Sequence, residues 1–295
     1  MRCVVTGGAG FIGSNVALAL EKEGHEVIIL DNFDTGKEEN LKEFKGTIMK
    51  GDVSEPFKIE GEVDAIFHYG SLTDPRYTDD ENMMKVNIDG FKNVVALAHE
   101  KDAKLVYASS ASVYGNALSP QKEDGPVEIM SAYAKTKIMM DKIAEDLFKA
   151  MHIVGLRYFN VFGPHEEFKG RASSMIYHLT KQIKAGKKPK LFKSGEQKRD
   201  HLYVKDVVSA TILALDAPSG IYNVGTGRGT SFNEIVEYIN EALGTNAEIE
   251  YIDNPYGETY QMDTRADTTK AKEFLKFETQ FTAREGIIDY APGIE

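Results

Sequence analysis

The sequence has one cysteine, no tryptophan and no apolar run near the roughly 20 residues that a bilayer span requires. A lone Cys3 rules out a disulfide within the chain, so a reducing cytoplasm is the expected compartment. With no long apolar run, no membrane segment is expected. The start also lacks the charged-then-apolar layout of a secretory signal, because MRCVVTGGAGFIG breaks into glycines at once. Positive charge is short as well. Lys and Arg number 35 against 46 Asp and Glu, a formal net charge of −11, which argues against a general nucleic-acid binder. The missing tryptophan excludes nothing.

What is present suits a large α/β fold. The chain has 295 residues, 42% of them hydrophobic. That is enough for one large domain, or two closely joined ones, to bury a core without staples. The charge is uneven. From Gly163 to Asp200 there are ten Lys and Arg against four Asp and Glu, an excess of six in an acidic chain. Such a stretch is either a solvated face or a landing site for an anionic ligand.

The first half alternates strand and helix. RCVVT is a short buried strand by its β-branched content, SNVALALEKEG carries apolar Val16, Leu18 and Leu20 and stops at Gly24, and HEVIILD is the next strand. Gly7, Gly10 and Gly13 therefore fall on a strand-to-helix turn. In that context they permit a tight turn, a close approach by pyrophosphate and close helix–strand packing. Asp31 ends the second strand, where an acid hydrogen-bonds an adenosine ribose. Dinucleotide binding follows. The pattern continues through TIMKGDV, VDAIFHYGS, the helix VNIDGFKNVVALAHE, the strand AKLVYASS, the helix SAYAKTKIMMDKIAEDLFKAM and the strand HIVGLRYFN. A doubly wound, mostly parallel sheet of Rossmann type is predicted, with its ligand at the carboxyl ends of the strands.

Ser109, Ser110 and Ser112 sit at one such strand end. Tyr133 and Lys137 lie four apart on the next helix and share a face. A lysine beside a tyrosine favours the phenolate, which gives a base suited to an alcohol proton. A serine hydroxyl at the neighbouring strand end can bond the same alcohol oxygen.

TGGAGFIG, SSASVYG, YAKTK and LRYFNVFGP, in that order, resemble the extended short-chain dehydrogenase/reductase family of nucleotide-sugar epimerases and dehydratases, over nearly the whole chain. The resemblance implies a cofactor domain over 1–162 with a returning segment near 200–224, and a smaller C-terminal α/β substrate domain over 163–295. It makes Ser110 the catalytic serine, Tyr133 the base and Lys137 the residue that lowers its pKa and holds the nicotinamide ribose. Ser109 would sit nearer the nicotinamide. Around the cofactor it places Gly7, Gly10, Phe11, Ile12, Gly13, Asp31, Asn32, Lys37, Asp52, Val53, Tyr69, Gly70, Ser71, Asn87, Tyr158 and Val161. Around a nucleotide-diphosphate sugar it places Thr73, Ser110, Asn160, Lys169, Arg171, His178, Phe192, Arg199 and Tyr260, with Arg199 on the diphosphate. No metal is implied. Members commonly pair two helices with their copies, so the helices holding Phe91 to Leu97 and Ile138 to Phe148 predict a homodimer or a multiple of one.

A family dehydratase carries an acid pair after the catalytic serine. Ala111 and Ser112 stand there instead, which favours an epimerase. DNFDTGKEENL resembles the UDP-glucose 4-epimerases. GPHEEFKGRASSMIYHL, PKLFKSGEQKRDHLYVKDV and YQMDTRAD resemble the ADP-L-glycero-D-manno-heptose 6-epimerases, a longer match that favours the second subfamily. There Lys169 would be a second base facing Tyr133; its other reading is a phosphate-neutralising loop lysine. YGSLTDPRY and Arg171 depart from the heptose pattern near the sugar. Asp31 favours NAD because an acid repels a 2′-phosphate, and Lys37 leaves NADP open. The competing class is a non-catalytic binder of NAD or a sugar nucleotide, for which a tyrosine–lysine pair has no use.

Overall fold

The computed structural model describes residues 1–74, 76–255 and 261–295. The strands, in chain order, are β1 (Arg2–Thr6), β2 (Glu26–Asp31), β3 (Thr47–Lys50), β4 (Ala65–His68), β5 (Lys104–Ser110), β6 (Ile153–Tyr158), β7 (Asn160–Phe162), β8 (Lys190–Phe192), β9 (Lys198–Arg199), β10 (His201–Tyr203), β11 (Gly220–Val224), β12 (Thr230–Ser231), β13 (Glu250–Ile252) and β14 (Asp263–Thr264). The helices are α1 (Phe11–Lys22), α2 (Asp80–Met84), α3 (Gly90–Lys101), α4 (Ala132–Leu147), α5 (Met175–Lys184), α6 (Val204–Leu213), α7 (Phe232–Leu243) and α8 (Ala283–Tyr290).

Seven strands form one parallel sheet in the order β11-β6-β5-β4-β1-β2-β3. Side chains alternate across a strand, and both faces are covered. Cys3 and Val5 point to one face and meet Val16 and Leu20 of α1 and Val207 and Ala210 of α6. Val4 points to the other and joins Phe91 and Val94 of α3 and Met140 and Ala144 of α4. Each such Val or Leu contributes about 1.5–3 kcal/mol on full burial. Among the described residues no helix is long and apolar enough to cross a membrane.

A second layer follows β7. Short strands pair as β7 with β10, as β12-β9-β14 and as β8 with β13. Its own core holds Phe162, Ile176 and Leu179 of α5, Phe232 and Ile235 of α7, and Ile287 of α8. The chain re-enters the main sheet as β11, beside β6.

Three elements differ from the sequence expectation. HIVGLRYFN reads as one strand, but β6 ends at Tyr158 and the Phe159 N–H turns to the Val224 carbonyl. Asn160–Phe162 then pairs with β10 instead of the main sheet. The helix expected from Val86 begins earlier, as α2, and reaches α3 through a wide turn over Lys85–Asp89. Helix α1 begins at Phe11, capped by the Gly10 backbone, rather than at Ser14.

The register of α4 is held from below. Ser131 caps its start by accepting from the Ala134 N–H. Lower down, buried Asp141 accepts from the Tyr107 hydroxyl at 2.9 Å and from Arg157 Nε at 2.9 Å. Such a pair is costly to break because one charge would be left buried. Asn87 donates to Thr136 Oγ1 at 3.0 Å. These contacts fix which face of α4 looks toward the strand ends.

Candidate active site

The carboxyl ends of β1, β2, β4 and β5 open onto a cleft of about 820 Å³. Gly10 caps α1 with no side chain, the first turn of α1 holds no acid, and Gly10 to Gly13 line the cleft. A helix start of this kind attracts an anion. The glycines are required by space. Gly7 has φ +66°, and a Cβ there would lie 2.5 Å from the Gly70 nitrogen; one on Gly13 would lie 2.2 Å from the Gly7 carbonyl oxygen. The Ser109 hydroxyl faces the same cleft, buried, with no hydrogen-bond partner among the described residues. A polar orphan beside an open helix start fits a polar, anionic cofactor such as a dinucleotide.

At the end of β2, Asp31 accepts from the Ala9 N–H at 2.9 Å and the Phe33 N–H at 2.8 Å. Each oxygen keeps a lone pair for a ribose hydroxyl. Asn32 donates to Asp34 at 3.1 Å and to Asp52 at 3.0 Å, and Lys85 bonds Glu55 at 3.2 Å. Asp31, Asp34, Asp52, Glu55 and Lys85 all line this end, which is therefore acidic.

In the middle stand Ser110 at the end of β5 and Tyr133 and Lys137 on α4. Burial pushes the Tyr133 phenol above its ordinary value, and a hydrogen bond with the Ser110 side chain pulls it back part of the way. Lys137 lies 5.7 Å from the Tyr133 ring centre. Its ammonium donates to the Ala108 carbonyl at 2.7 Å and the Ser71 hydroxyl at 3.3 Å. Burial pushes Lys137 down to about 8, against the pull of Asp141. The expected lowering of the Tyr133 pKa by Lys137 is thus absent from the protein alone. The lysine is directed at a carbonyl rather than at the phenol, so desolvation of the phenol wins. Behind them the Tyr69 and Tyr158 hydroxyls both bond Thr211, at 2.9 and 2.8 Å.

The far end is built by the segment after β7. Lys169 and Arg171 lie on two short helical turns over Glu167–Ala172, joined at a non-helical Gly170. Lys169 Nζ stands 5.3 Å from the Phe11 ring centre. Burial lowers its pKa, while Glu166 and Asp74 raise it. His165, at φ +75°, meets Ser14 Oγ through Nδ1 at 2.9 Å.

The model of the NAD dependent epimerase/dehydratase family matches residues 3–225. The chain belongs to this family. ADP-L-glycero-D-manno-heptose-6-epimerase of Brachyspira hyodysenteriae is 39% identical, over 99% of this chain and 97% of that protein. The crystal structure of the Helicobacter pylori enzyme of the same name has a TM-score of 0.94 at 35% identity, covering 99% of this chain and 96% of that one. UDP-glucose 4-epimerase of Thermotoga maritima, solved with UDP-glucose, has a TM-score of 0.88 at 28% identity, covering 99% and 98%. The chain is an NAD-dependent enzyme of the nucleotide-sugar epimerase class, on the Rossmann-type sheet that its sequence predicted.

Of the residues that this epimerase was expected to place around its cofactor, all but Lys37 and Asn87 line the cleft. Lys37 is held by its own N–H to the Ala9 carbonyl, and Asp34 and Thr35 take the cleft face instead. Asn87 accepts from the Leu72 N–H and donates to the Leu72 carbonyl and Thr136 Oγ1, which holds the wall behind the cleft. Of the substrate set, Thr73, Ser110, Lys169 and Arg171 line the cleft, and Asn160, His178, Phe192 and Arg199 lie outside it. Asn160 precedes Val161 on β7, so the two point to opposite faces, and Val161 has the cleft. His178 lies edge-on to Tyr177 on α5, and Phe192 is half-buried at the end of β8. Arg199 lies against the Phe232 ring and donates to the Lys198 carbonyl at 2.8 Å. Tyr260 falls outside the described residues. Sequence reasoning missed Asp34, Asp74, Lys85 and His165. The DNFD segment carried a signal for Asp34; the others come from irregular segments or a helix with no telling pattern.

Proposed function

We propose that the enzyme inverts C6 of an ADP-glycero-manno-heptose by transient oxidation, with Ser110, Tyr133, Lys137 and Lys169 as its working residues. The observation that carries this reading is Lys169, a desolvated cation in the same cleft as Tyr133 but supplied by the other layer. The 39% identity to a heptose 6-epimerase over the whole chain supports it.

When bound, NAD supplies the hydride acceptor, the later hydride donor and a positive ring beside the phenol. The chain handles the proton. Ser110 donates a hydrogen bond to the C6 oxygen. Tyr133, as phenolate, takes the hydroxyl proton while the C6 hydride leaves. The resulting carbonyl is exocyclic and can turn about the C5–C6 bond. On re-reduction from the other face, Lys169 gives a proton to the oxygen. Solvent returns both groups to their starting states, and the reverse reaction exchanges their roles. A 4-epimerase needs only the tyrosine, because its sugar swings as a whole.

NMR of the product decides between them. Enzyme with NAD should interconvert the C6 epimers of ADP-heptose; turnover of UDP-glucose at C4 and none of ADP-heptose would overturn the reading. The same proposal takes NAD over NADP, since Asp31 and Asp34 both repel a 2′-phosphate, and tighter binding of NADP in a titration would refute that part. It also takes a cytoplasmic homodimer. A single buried, unpaired Cys3 suits a reducing compartment. Val95, Met139, Ile143 and Leu147 stay half-buried on α3 and α4, apolar surface that a copy would cover. A monomer mass by light scattering at micromolar concentration would refute the dimer.

A further inference from the structure

Two irregular segments meet across the open end of the cleft. One is the loop after β4 and the other is the turn that carries Lys169, and they are 97 residues apart in sequence. Arg171 Nε donates to Asp74 Oδ2 at 2.9 Å, and Arg76 Nη2 donates to the Arg171 carbonyl at 2.8 Å. On its own loop Asp74 Oδ1 accepts from the Arg76 N–H and from Arg76 Nε, both at 3.0 Å, and the Asp74 carbonyl accepts from the Tyr77 N–H at 3.0 Å. Asp74 therefore both shapes its loop and reaches across the cleft. Asp74 and Arg171 line the cleft, as does Lys169.

Lys169 cannot place itself. Among the described residues its Nζ makes no hydrogen bond; it lies over the Phe11 ring and feels the charges of Glu166 and Asp74 only at longer range. Its position depends on the backbone that carries it. That backbone kinks at Gly170, with φ +58°, and is gripped one residue later through the Arg171 side chain and carbonyl. An isolated exposed ion pair contributes little to stability. Two cross-cleft bonds on one residue, one of them to main chain, make sense as a device for position. The two bonded segments are also the two places where the sequence departs from the heptose-epimerase pattern.

We infer that Asp74, Arg76 and Arg171 form a clamp across the mouth of the cleft and act as positioning residues for Lys169. The inference rests on the proposed reading that Lys169 faces the sugar.

A double-mutant cycle tests it on the full-length enzyme saturated with NAD, with ADP-heptose as substrate. Asp74→Ala and Arg171→Ala should each lower kcat/KM about 5- to 20-fold. NAD affinity by calorimetry should stay within about two-fold, and the melting temperature should change little. The double variant should be no worse than the worse single variant, and the swap Asp74→Arg with Arg171→Asp should recover part of the loss. Additive losses, or single variants with wild-type kinetics, would overturn the clamp. So would a loss that tracks weaker NAD binding. An enzyme that turns over UDP-glucose but not ADP-heptose defeats the function proposed above instead, and the same cycle read with UDP-glucose then decides the clamp.

Discussion

At one end of the cleft Asp31, Asp34, Asp52 and Glu55 line the wall with a single cation, Lys85, bonded to Glu55. At the other end Lys169 and Arg171 line it with Asp74, and Arg76 stands behind them. The acidic end is built at the ends of regular strands β2 and β3 and the loops that follow them, and each of its carboxylates bonds a neighbour within the same half of the chain. The cationic end is built from a turn and a loop that meet only in the folded chain. In the proposed reading the acidic wall accepts ribose hydroxyls and repels an extra phosphate, while the cationic mouth takes the nucleotide sugar and the proton traffic on it.

Tyr133, between the two ends, gives the largest expected effect. Tyr133→Phe should lower turnover by about 10²–10⁴-fold, with NAD and nucleotide-sugar affinity unchanged by titration. Turnover near wild type would remove the division of labour altogether. Lys169→Met tests the cationic end. It should lower kcat for ADP-heptose by about 10²-fold, the low end of general acid–base effects, while nucleotide-sugar binding stays measurable. If only KM rises, the lysine is a phosphate contact. At the acidic end, Asp31→Asn should weaken NAD binding by roughly ten-fold, the loss of one charge-assisted hydrogen bond. Asp34→Asn should leave NAD affinity alone and raise NADP affinity only a few-fold. Equal effects on both cofactors would mean that the wall does not discriminate by charge.

The smallest effect is on stability, and it has a defined sign in pH. The Lys137 pKa falls from 10.5 to about 8 on folding, so burying its ammonium costs stability below pH 8. The cost fades as pH rises from about 8 to 10.5, where the unfolded chain also loses the proton. Lys137→Met should therefore raise Tm by a few degrees at pH 7, in a melt without cofactor, and the gain should vanish by about pH 10.5. A lower Tm at pH 7 would mean that the lost bonds to Ala108 and Ser71 outweigh the relieved charge.

Much of the acidic end was legible in the sequence. Gly7, Gly10, Gly13 and Asp31 occupy spacings set by one strand, one turn and one helix, and they line the cleft together. Tyr133 and Lys137 are joined by a single helical turn. Legibility fails where the chain leaves regular structure. Asn160 was expected at the sugar; after the break at Tyr158 and the new pairing with β10, Val161 lines the cleft and Asn160 lies on the opposite face of β7. Lys37 was expected at the cofactor; its N–H bonds the Ala9 carbonyl, and Asp34 and Thr35 line the cleft beside it. Neither event has a period or a spacing to betray it.

By itself the sequence determined the alternation of strands and helices, the glycine turn at the start of α1, and the placing of Tyr133 and Lys137 on one helix face. Each of these depends on residues within a turn or two of one another, where hydrophobic period and backbone freedom act directly. Only the tertiary structure decided the charge state and the mouth of the site. Tyr133 is pushed up rather than down because distant segments bury it, and desolvation belongs to the whole surround rather than to the residue four positions along. Asp74 meets Arg171 because two layers close on each other, and no local rule connects residues 97 positions apart.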